Sequence, residues 1–320
     1  MKRLDWELVA SGASAQLYRS PSLPGQLLRV RCSRALDPEP LRLAIERVFA
    51  PFAVPRQRVN DFAEYQPDLL PSGNVDMTNE ERVPALTIEI KPKRCGSFRR
   101  LQYCASELFG GDALRSRDAV RSLLEGPEEL RKLLRMHTGE ERHAHAANMK
   151  MYPSRPEFVD WLAGVITKSP ALALVHRIQK LHPCDHAFVE MLLERETELF
   201  AATAQGAYLR SRAGGDERVR WQVGRMLYQR AAAWLIRQQQ QHADWSSASV
   251  GWSMEPGTDA FYALYSVACI ANDCSVLIRI DRYGRALDHW IVDLDFKPFD
   301  IERIRRRART YAPRNCVHET

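Results

Sequence analysis

The chain has no apolar run near the roughly 18 residues that a membrane span needs, and its first residues, MKRLDWELVASG, lack the apolar core of a secretory leader. Neither a membrane association nor secretion is therefore expected. Cysteine is sparse and never spaced as CxxC. The seven thiols, at 32, 95, 104, 184, 269, 274 and 316, form an odd, scattered set. That pattern argues for reduced thiols and a cytoplasmic or nuclear setting. No internal repeat is present. No charge of one sign dominates either, because 46 Lys and Arg face 40 Asp and Glu for a net charge of +6. So mild an excess does not demand nucleic acid, and it suits an anionic ligand where the cations cluster. One cluster, Arg303–Arg309 (RIRRRAR), has no interleaved aromatics, and no nucleic-acid module accompanies it. A solvated helix face is its plain reading.

What the chain has is length enough, at 320 residues, for one large domain or two lobes with a substantial core. Residues 1–36 read as a small sheet: Trp6–Ala10, a small-residue turn Ser11–Ser14 (SGAS), Ala15–Arg19, a second turn, and Gln26–Cys32 (QLLRVRC). Strand, turn, strand, turn and a strand with a basic residue is the layout of a kinase-like N-lobe, where the first turn covers nucleotide phosphates and the third strand supplies a cation. Arg29 is that cation, although SGAS is poor in glycine for such a turn. Leu41–Phe49 follows as a helix, then a proline-broken segment. The polar stretch Leu69–Glu81 is the natural connection between lobes.

From Leu101 helical spacing prevails for some 140 residues, over Ala113–Leu124, Pro127–Met136, Glu157–Thr167, Ala171–Leu181, Ala187–Tyr208 and Val219–Gln241. The end of the chain returns to strands. Phe261–Ile270 and Cys274–Ile280 are read as a hairpin with Asp273 at its tip. Leu287–Leu294 is read as a strand that delivers Asp293, Asp295 and Lys297 at its end. A carboxylate at a strand end is a recurrent magnesium ligand in phosphoryl transfer.

The stretch Val83–Pro92 (VPALTIEIKP) with Lys93 organises the rest. A β-branched apolar run leaves its sheet through Lys-Pro-Lys, carrying Glu89, Lys91 and Lys93 at alternate positions. Side chains two apart on an extended chain point the same way, and Pro92 holds the backbone extended. Two ammonium groups on one mount suit a polyanion. An edge strand protected by Lys and Pro is the plain alternative.

Three separated motifs give the pattern a source. IEIKPK followed by Cys95–Gly96, ANDCSVLI at 271–278, and VDLDFKPF at 292–299 together resemble the inositol-pentakisphosphate 2-kinase family. Weaker matches in the same order are Gly12–Ala13 with Leu17, Leu28–Arg29–Val30, Leu108–Gly111, and Pro127 with Arg131. Residues 140–255 are unmatched. The resemblance implies an α+β, two-lobed kinase-like fold with a small mainly-β N-terminal lobe (1–78) that binds nucleotide. A larger C-terminal lobe (79–320) would hold the inositol phosphate site and a helical insertion. It implies phosphorylation of the 2-hydroxyl of inositol pentakisphosphate by ATP with Mg²⁺, in a protein expected to be monomeric. Asp273 would be the catalytic base, Asp293 the magnesium ligand, and Lys91, Lys93 and Lys297 the acceptor's phosphate partners. Arg29 and Arg131 would contact the nucleotide phosphates beneath the Gly12–Ala13 turn.

Several positions depart from the family pattern. Arg94 interrupts the usual Lys-Cys, Glu128–Glu129 replaces an Asn pair, and Ile301 and Arg305 stand where a basic residue and a tyrosine are usual. Arg305, or Arg303 on the same helix, is the substitute acceptor contact. These changes bear on phosphate contacts and leave the two carboxylates untouched. A second reading is therefore a catalytically silent relative that binds inositol phosphates or scaffolds other proteins. Elsewhere, His182, Cys184 and His186 are read as a surface turn rather than a zinc site, Cys274 as a buried thiol, and Trp161, Trp221 and Trp234 as core. His143 and His145 receive no role.

Overall fold

The structure, a computed structural model, describes residues 5–11, 15–31, 37–69, 86–92, 113–126, 131, 133–138, 156–241, 255–281, 284–297 and 299–311. Gly12, Ala13, Lys93 and the expected lobe boundary at 78/79 lie outside them. The fold is α+β, with two antiparallel sheets and, among the described residues, nine helices.

The first sheet runs in the order β1-β2-β3-β5-β4. Its strands are β1 (Glu7–Ser11), β2 (Ala15–Arg19), β3 (Gln26–Arg31), β4 (Gln57–Arg58) and β5 (Ala63–Pro67). The N-terminal meander matches the sequence reading. Strands β4 and β5 come from the proline-broken segment, where short runs between prolines hid them. Helix α1 (Glu39–Val48) lies between β3 and β4 in the chain and buries Leu41, Ala44, Ile45 and Val48 at helical spacing.

The second sheet runs β7-β6-β8-β9, from β6 (Leu86–Ile90), β7 (Leu134–Thr138), β8 (Ser275–Ile280) and β9 (Ala286–Val292). The central strand β6 alternates cleanly. Ile88 and Ile90 are buried in the core, while Thr87, Glu89 and the following Lys91 face the other way. Strand β8 repeats this, with Val276, Ile278 and Ile280 in the core and Leu277 on the opposite face. One backbone bridge, Ala53 to Ile291, ties the segment after α1 to β9.

Helices join the core on one face of this sheet: α2 (Ala113–Glu125), α3 (Pro156–Thr167), α4 (Pro170–Gln179), α5 (His186–Ala201), α7 (Gly215–Gln241), α8 (Asp259–Asp273) and α9 (Ile301–Tyr311), while the short α6 (Ala204–Arg210) packs against α5 and α7. None of the described helices is by itself long and apolar enough to cross a membrane. Much of the region without family motifs is thus helical packing behind the second sheet. Helix α7 approaches closely: a Cβ on Gly224 would sit 2.1 Å from the carbonyl oxygen of Phe299, so only glycine lets the two backbones meet there.

Two elements differ from expectation. Residues 261–270 form not a strand but the buried helix α8, whose N-terminus is capped by the Thr258 hydroxyl accepting from the Phe261 N–H. Its apolar residues run all round because the helix is surrounded, and an apolar run of that kind carries no period to tell strand from helix. Asp273 therefore ends a helix and does not sit on a hairpin tip. The stretch read as a helix over 127–136 contributes strand β7, since its pairing with β6 outweighs the local helical spacing of Leu133 and Met136.

Candidate active site

One cavity of about 390 Å³ lies between the two sheets, lined from the first by Ser11, Ala15, Leu17 and Arg29 and from the second by Glu89 and Lys91. The VDLDFKPF segment crosses its floor and explains how charge reaches it. Side chains alternate along the extended chain: Leu294 and Phe296 are buried in the core, while Asp293, Asp295 and Lys297 line the cavity. Phe296 is locked by an edge-on contact with Tyr228, 5.2 Å between centroids, and by its N–H donating to Asp37 at 2.9 Å.

The three charged residues have different tasks. The Asp293 side chain is 49% exposed, and its backbone adopts the left-handed conformation at φ 64°. Asp tolerates that region better than most residues, and such geometry is frequent where a side chain is aimed at a ligand. Asp295 is buried and carries Arg29 at 2.8 Å, Arg56 at 3.2 Å, and Arg31. Burial alone would raise its pKa, but these arginines hold the carboxyl far below the usual range. Lys297 reaches Asp273 at 2.5 Å.

Asp273 sits at the C-terminal end of α8, with a side chain 16% exposed. Besides Lys297, it accepts from Arg307 at 2.7 Å and faces Arg303 at 3.6 Å. Burial depresses the pKa of Lys297, and Arg303 and Arg307 push it the same way against the pull of Asp273.

The opposite wall is β6 and β7. Glu89 accepts from the Ser275 hydroxyl at 2.9 Å and lies 3.1 Å from His137 Nε2. Burial opposes ionisation of Glu89, yet these two hydrogen bonds and Lys91 keep its pKa below normal. Arg135 pairs across the ladder with Glu89 and also lines the cavity.

Of the residues singled out in the sequence, Arg29, Lys91, Asp273, Asp293 and Lys297 meet in this one cavity. Arg29 is buried, bound by Glu64 at 2.8 Å and Asp295 at 2.8 Å, and stands 3.5 Å from Asp293. It braces the carboxylates of the site. Arg131 is exposed and does not line the cavity, whereas Arg135, four residues on, does. Arg305 points away: it binds Glu190 at 2.7 Å and Glu194 at 2.9 Å on α5. The reason is helical phase. Residues 303 and 307, spaced i and i+4, share the face toward Asp273, and 305 lies nearly opposite.

The residues missed were Arg135, His137 and Arg307. The alternation of LRMHT would have exposed the first two had it been read as a strand.

Other expectations fare unevenly. Trp221 is 63% exposed and not core, stacking instead with Arg225 at 5.5 Å, while Trp161 and Trp234 pack against the core and Cys274 is fully buried. His182 is buried and accepts the Cys184 N–H, so HPCDH is not merely a surface turn. Among the described residues, no group of three His, Cys, Asp or Glu is arranged to hold a metal ion. Magnesium at a phosphoryl-transfer site needs only one or two carboxylates beside phosphate and water oxygens. Asp293, exposed to the cavity, fits that requirement; Asp295, saturated by arginines, does not.

A mixed α+β scaffold with carboxylates and cations converging in one cleft has the kinds of group that phosphoryl-transfer chemistry positions. A model of the family described as inositol-pentakisphosphate 2-kinase matches residues 55–310, and the chain belongs to that kinase family. No curated protein matches the chain significantly.

Proposed function

We propose that the protein transfers the γ-phosphoryl group of ATP to the 2-hydroxyl of inositol pentakisphosphate, giving inositol hexakisphosphate. The observation that carries this reading is the meeting of Asp273, Asp293, Lys91 and Lys297 in one cavity of a chain that belongs to this kinase family. Phosphoryl transfer needs positioning and charge neutralisation, together with a base for the attacking hydroxyl. Asp273 accepts the proton of that hydroxyl as its oxygen bonds to the γ-phosphorus and the bond from that phosphorus to the bridging oxygen breaks, ADP leaving, and Lys297 holds the carboxylate in place. Lys91, with Lys93 beyond it, and Lys297 bind acceptor phosphates. Asp293 would hold magnesium, which when bound neutralises charge on the donor phosphates. Arg29 fixes the orientation of Asp293 and Asp295. Arg135 takes the nucleotide-phosphate role expected of Arg131. The two-lobed kinase-like arrangement, with nucleotide under the first sheet, belongs to the same proposal.

The test is direct turnover. Purified protein with ATP and magnesium should convert inositol pentakisphosphate to hexakisphosphate. Binding of ATP without product from any inositol phosphate would favour the silent relative.

Two substitutions on the wall formed by β6 and β7 separate the contacts proposed for the two ligands. Lys91→Ala should raise KM for the inositol phosphate about tenfold or more and leave KM for ATP within about twofold, as expected for loss of one charge-assisted contact. The opposite split in steady-state kinetics would assign β6 to the nucleotide. Arg135→Ala should raise KM for ATP by a similar factor, and Arg131→Ala should change it less than about twofold. Equal effects of the two would remove Arg135 from the site.

A further inference from the structure

The HPCDH turn has no part in the cavity, yet it holds one half of a thiol pair. Cys184 lies in this turn, partly exposed, and Cys269 lies buried on α8, one helical turn before Asp273. Neither is in a disulfide. The turn is pinned on both sides of Cys184, whose backbone is left-handed at φ 53°. Residues other than glycine seldom adopt that region, and they keep it where the surroundings impose it. The Cys184 N–H donates to His182 Nδ1 at 2.9 Å, and Asp185 accepts the Ala187 and Phe188 N–H groups as the cap of α5. So held, the Cys184 thiol meets α8. It hydrogen-bonds Cys269, and its sulfur accepts from Asn272 Nδ2 at 3.7 Å.

A pair of adjacent thiols serves a metal or a disulfide. A protein metal site of this kind needs three or four ligands, and among the described residues no group of three His, Cys, Asp or Glu is placed to hold an ion. A disulfide needs only the two. Its chemistry runs through the thiolate, and the setting supplies one. The hydrogen bond from Cys184 holds Cys269 below the usual thiol pKa; Arg307 and the Tyr265 hydroxyl assist, while burial and Asp273 oppose. Cys269 also lines a small cavity of about 20 Å³ together with Arg303 and Arg307. Cys274 differs: it is fully buried and donates to the Ala271 carbonyl at 3.4 Å, as an inert structural thiol does.

We propose that Cys184 and Cys269 form an oxidation site, which hydrogen peroxide closes into a disulfide joining the turn before α5 to the end of α8. The partly exposed Cys184 meets the oxidant. Its sulfur bonds to one peroxide oxygen, the O–O bond breaks, and the other oxygen leaves as water with the thiol proton, giving a sulfenic acid. The Cys269 sulfur then attacks that sulfur. The S–S bond forms, the S–O bond breaks, and a second water leaves with the Cys269 proton. Two thiols thus lose two electrons, and one peroxide is reduced to two waters. The consequence falls on Asp273, four residues beyond Cys269 on the same side of α8. A disulfide imposes its own geometry on both backbones, and misplacing a reacting group by about 1 Å costs about 10²-fold in rate. With Asp273 as the base, which rests on the kinase reading above, closure slows turnover and reduction restores it.

The experiment treats the full chain with hydrogen peroxide, blocks the remaining thiols with N-ethylmaleimide and maps the peptides by mass spectrometry. Wild type should show Cys184 linked to Cys269 with Cys274 still a thiol, and dithiothreitol should undo the link. Cys269→Ser should stop at a sulfenic acid on Cys184, which dimedone traps; Cys184→Ser should leave Cys269 reduced. No link, or a link from either residue to another cysteine, overturns the site. Should Cys269→Ser fail to fold, the partly exposed Cys184→Ser decides the matter. Oxidised wild type should have kcat about tenfold or more below the reduced protein, and Cys184→Ser should be indifferent to peroxide. Linked protein with unaltered kcat overturns the effect on Asp273. Protein that forms the link but makes no hexakisphosphate in either state keeps the oxidation site and removes the kinase reading.

Discussion

Asp273→Ala is expected to lower kcat for inositol pentakisphosphate by about 10²–10⁴-fold, the range that a positioned acid–base group contributes. Binding should not follow activity. The substitution removes the one carboxylate that Lys297, Arg303 and Arg307 share, so a polyphosphate meets more uncompensated positive charge than before. Affinity for inositol hexakisphosphate should therefore equal or exceed that of wild type, and ATP binding should stay within about twofold. Single-turnover kinetics beside calorimetry make the comparison. A variant that loses binding in step with turnover would mean that Asp273 only organises the cations. A variant that keeps wild-type kcat would take the base away from α8. Asp273→Asn adds a control for shape, since its amide oxygen still accepts from Lys297 and Arg307 but takes no proton.

Asp295→Ala should be the most damaging change to the fold itself, by about 3–5 kcal/mol, the cost of leaving buried charges without their partner. Three arginines depend on this carboxylate. Arg29 and Arg31 come from β3, and Arg56 precedes β4, so the loss would loosen the first sheet from the segment that carries Asp293. The pH dependence has a definite sign. The pKa of Asp295 is depressed in the folded state, so its contribution is complete above the unfolded value, near 3.9. It is lost progressively as pH falls below that value toward the folded one. Urea melts of wild type and Asp295→Asn should thus differ widely at pH 7 and draw together below about pH 4. Equal stability of the two proteins at pH 7 would show that the arginines find other partners.

The second effect traces to one short segment that sequence and fold illuminate differently. In VDLDFKPF the period of two, apolar against charged, marked an extended run with its charges on one side. The structure keeps that pattern and adds an unequal division of labour. Nothing in the segment distinguishes Asp293 from Asp295. One is exposed at a left-handed turn and the other is buried beneath arginines from residues about 240 and 265 positions earlier. The same holds for α9, where seven residues contain five arginines. Composition made Arg305 and Arg303 equivalent candidates. Helical phase sends 303 and 307 to Asp273 and 305 to Glu190 and Glu194.

By itself, then, the sequence determined the family, the N-terminal meander, most helices, and the five residues that meet in the cavity. Motifs and periodic patterns are local, and they survive without knowledge of what packs against them. Tertiary structure alone decided that α8 is a helix, because a surrounded helix loses the period that would announce it. It alone made β7 a strand, because a ladder partner 48 residues away supplied the pairing. It also decided which carboxylate is free to meet a ligand and which arginines guard the base. Those choices depend on charges and backbones brought together from distant parts of the chain, and no local pattern encodes them.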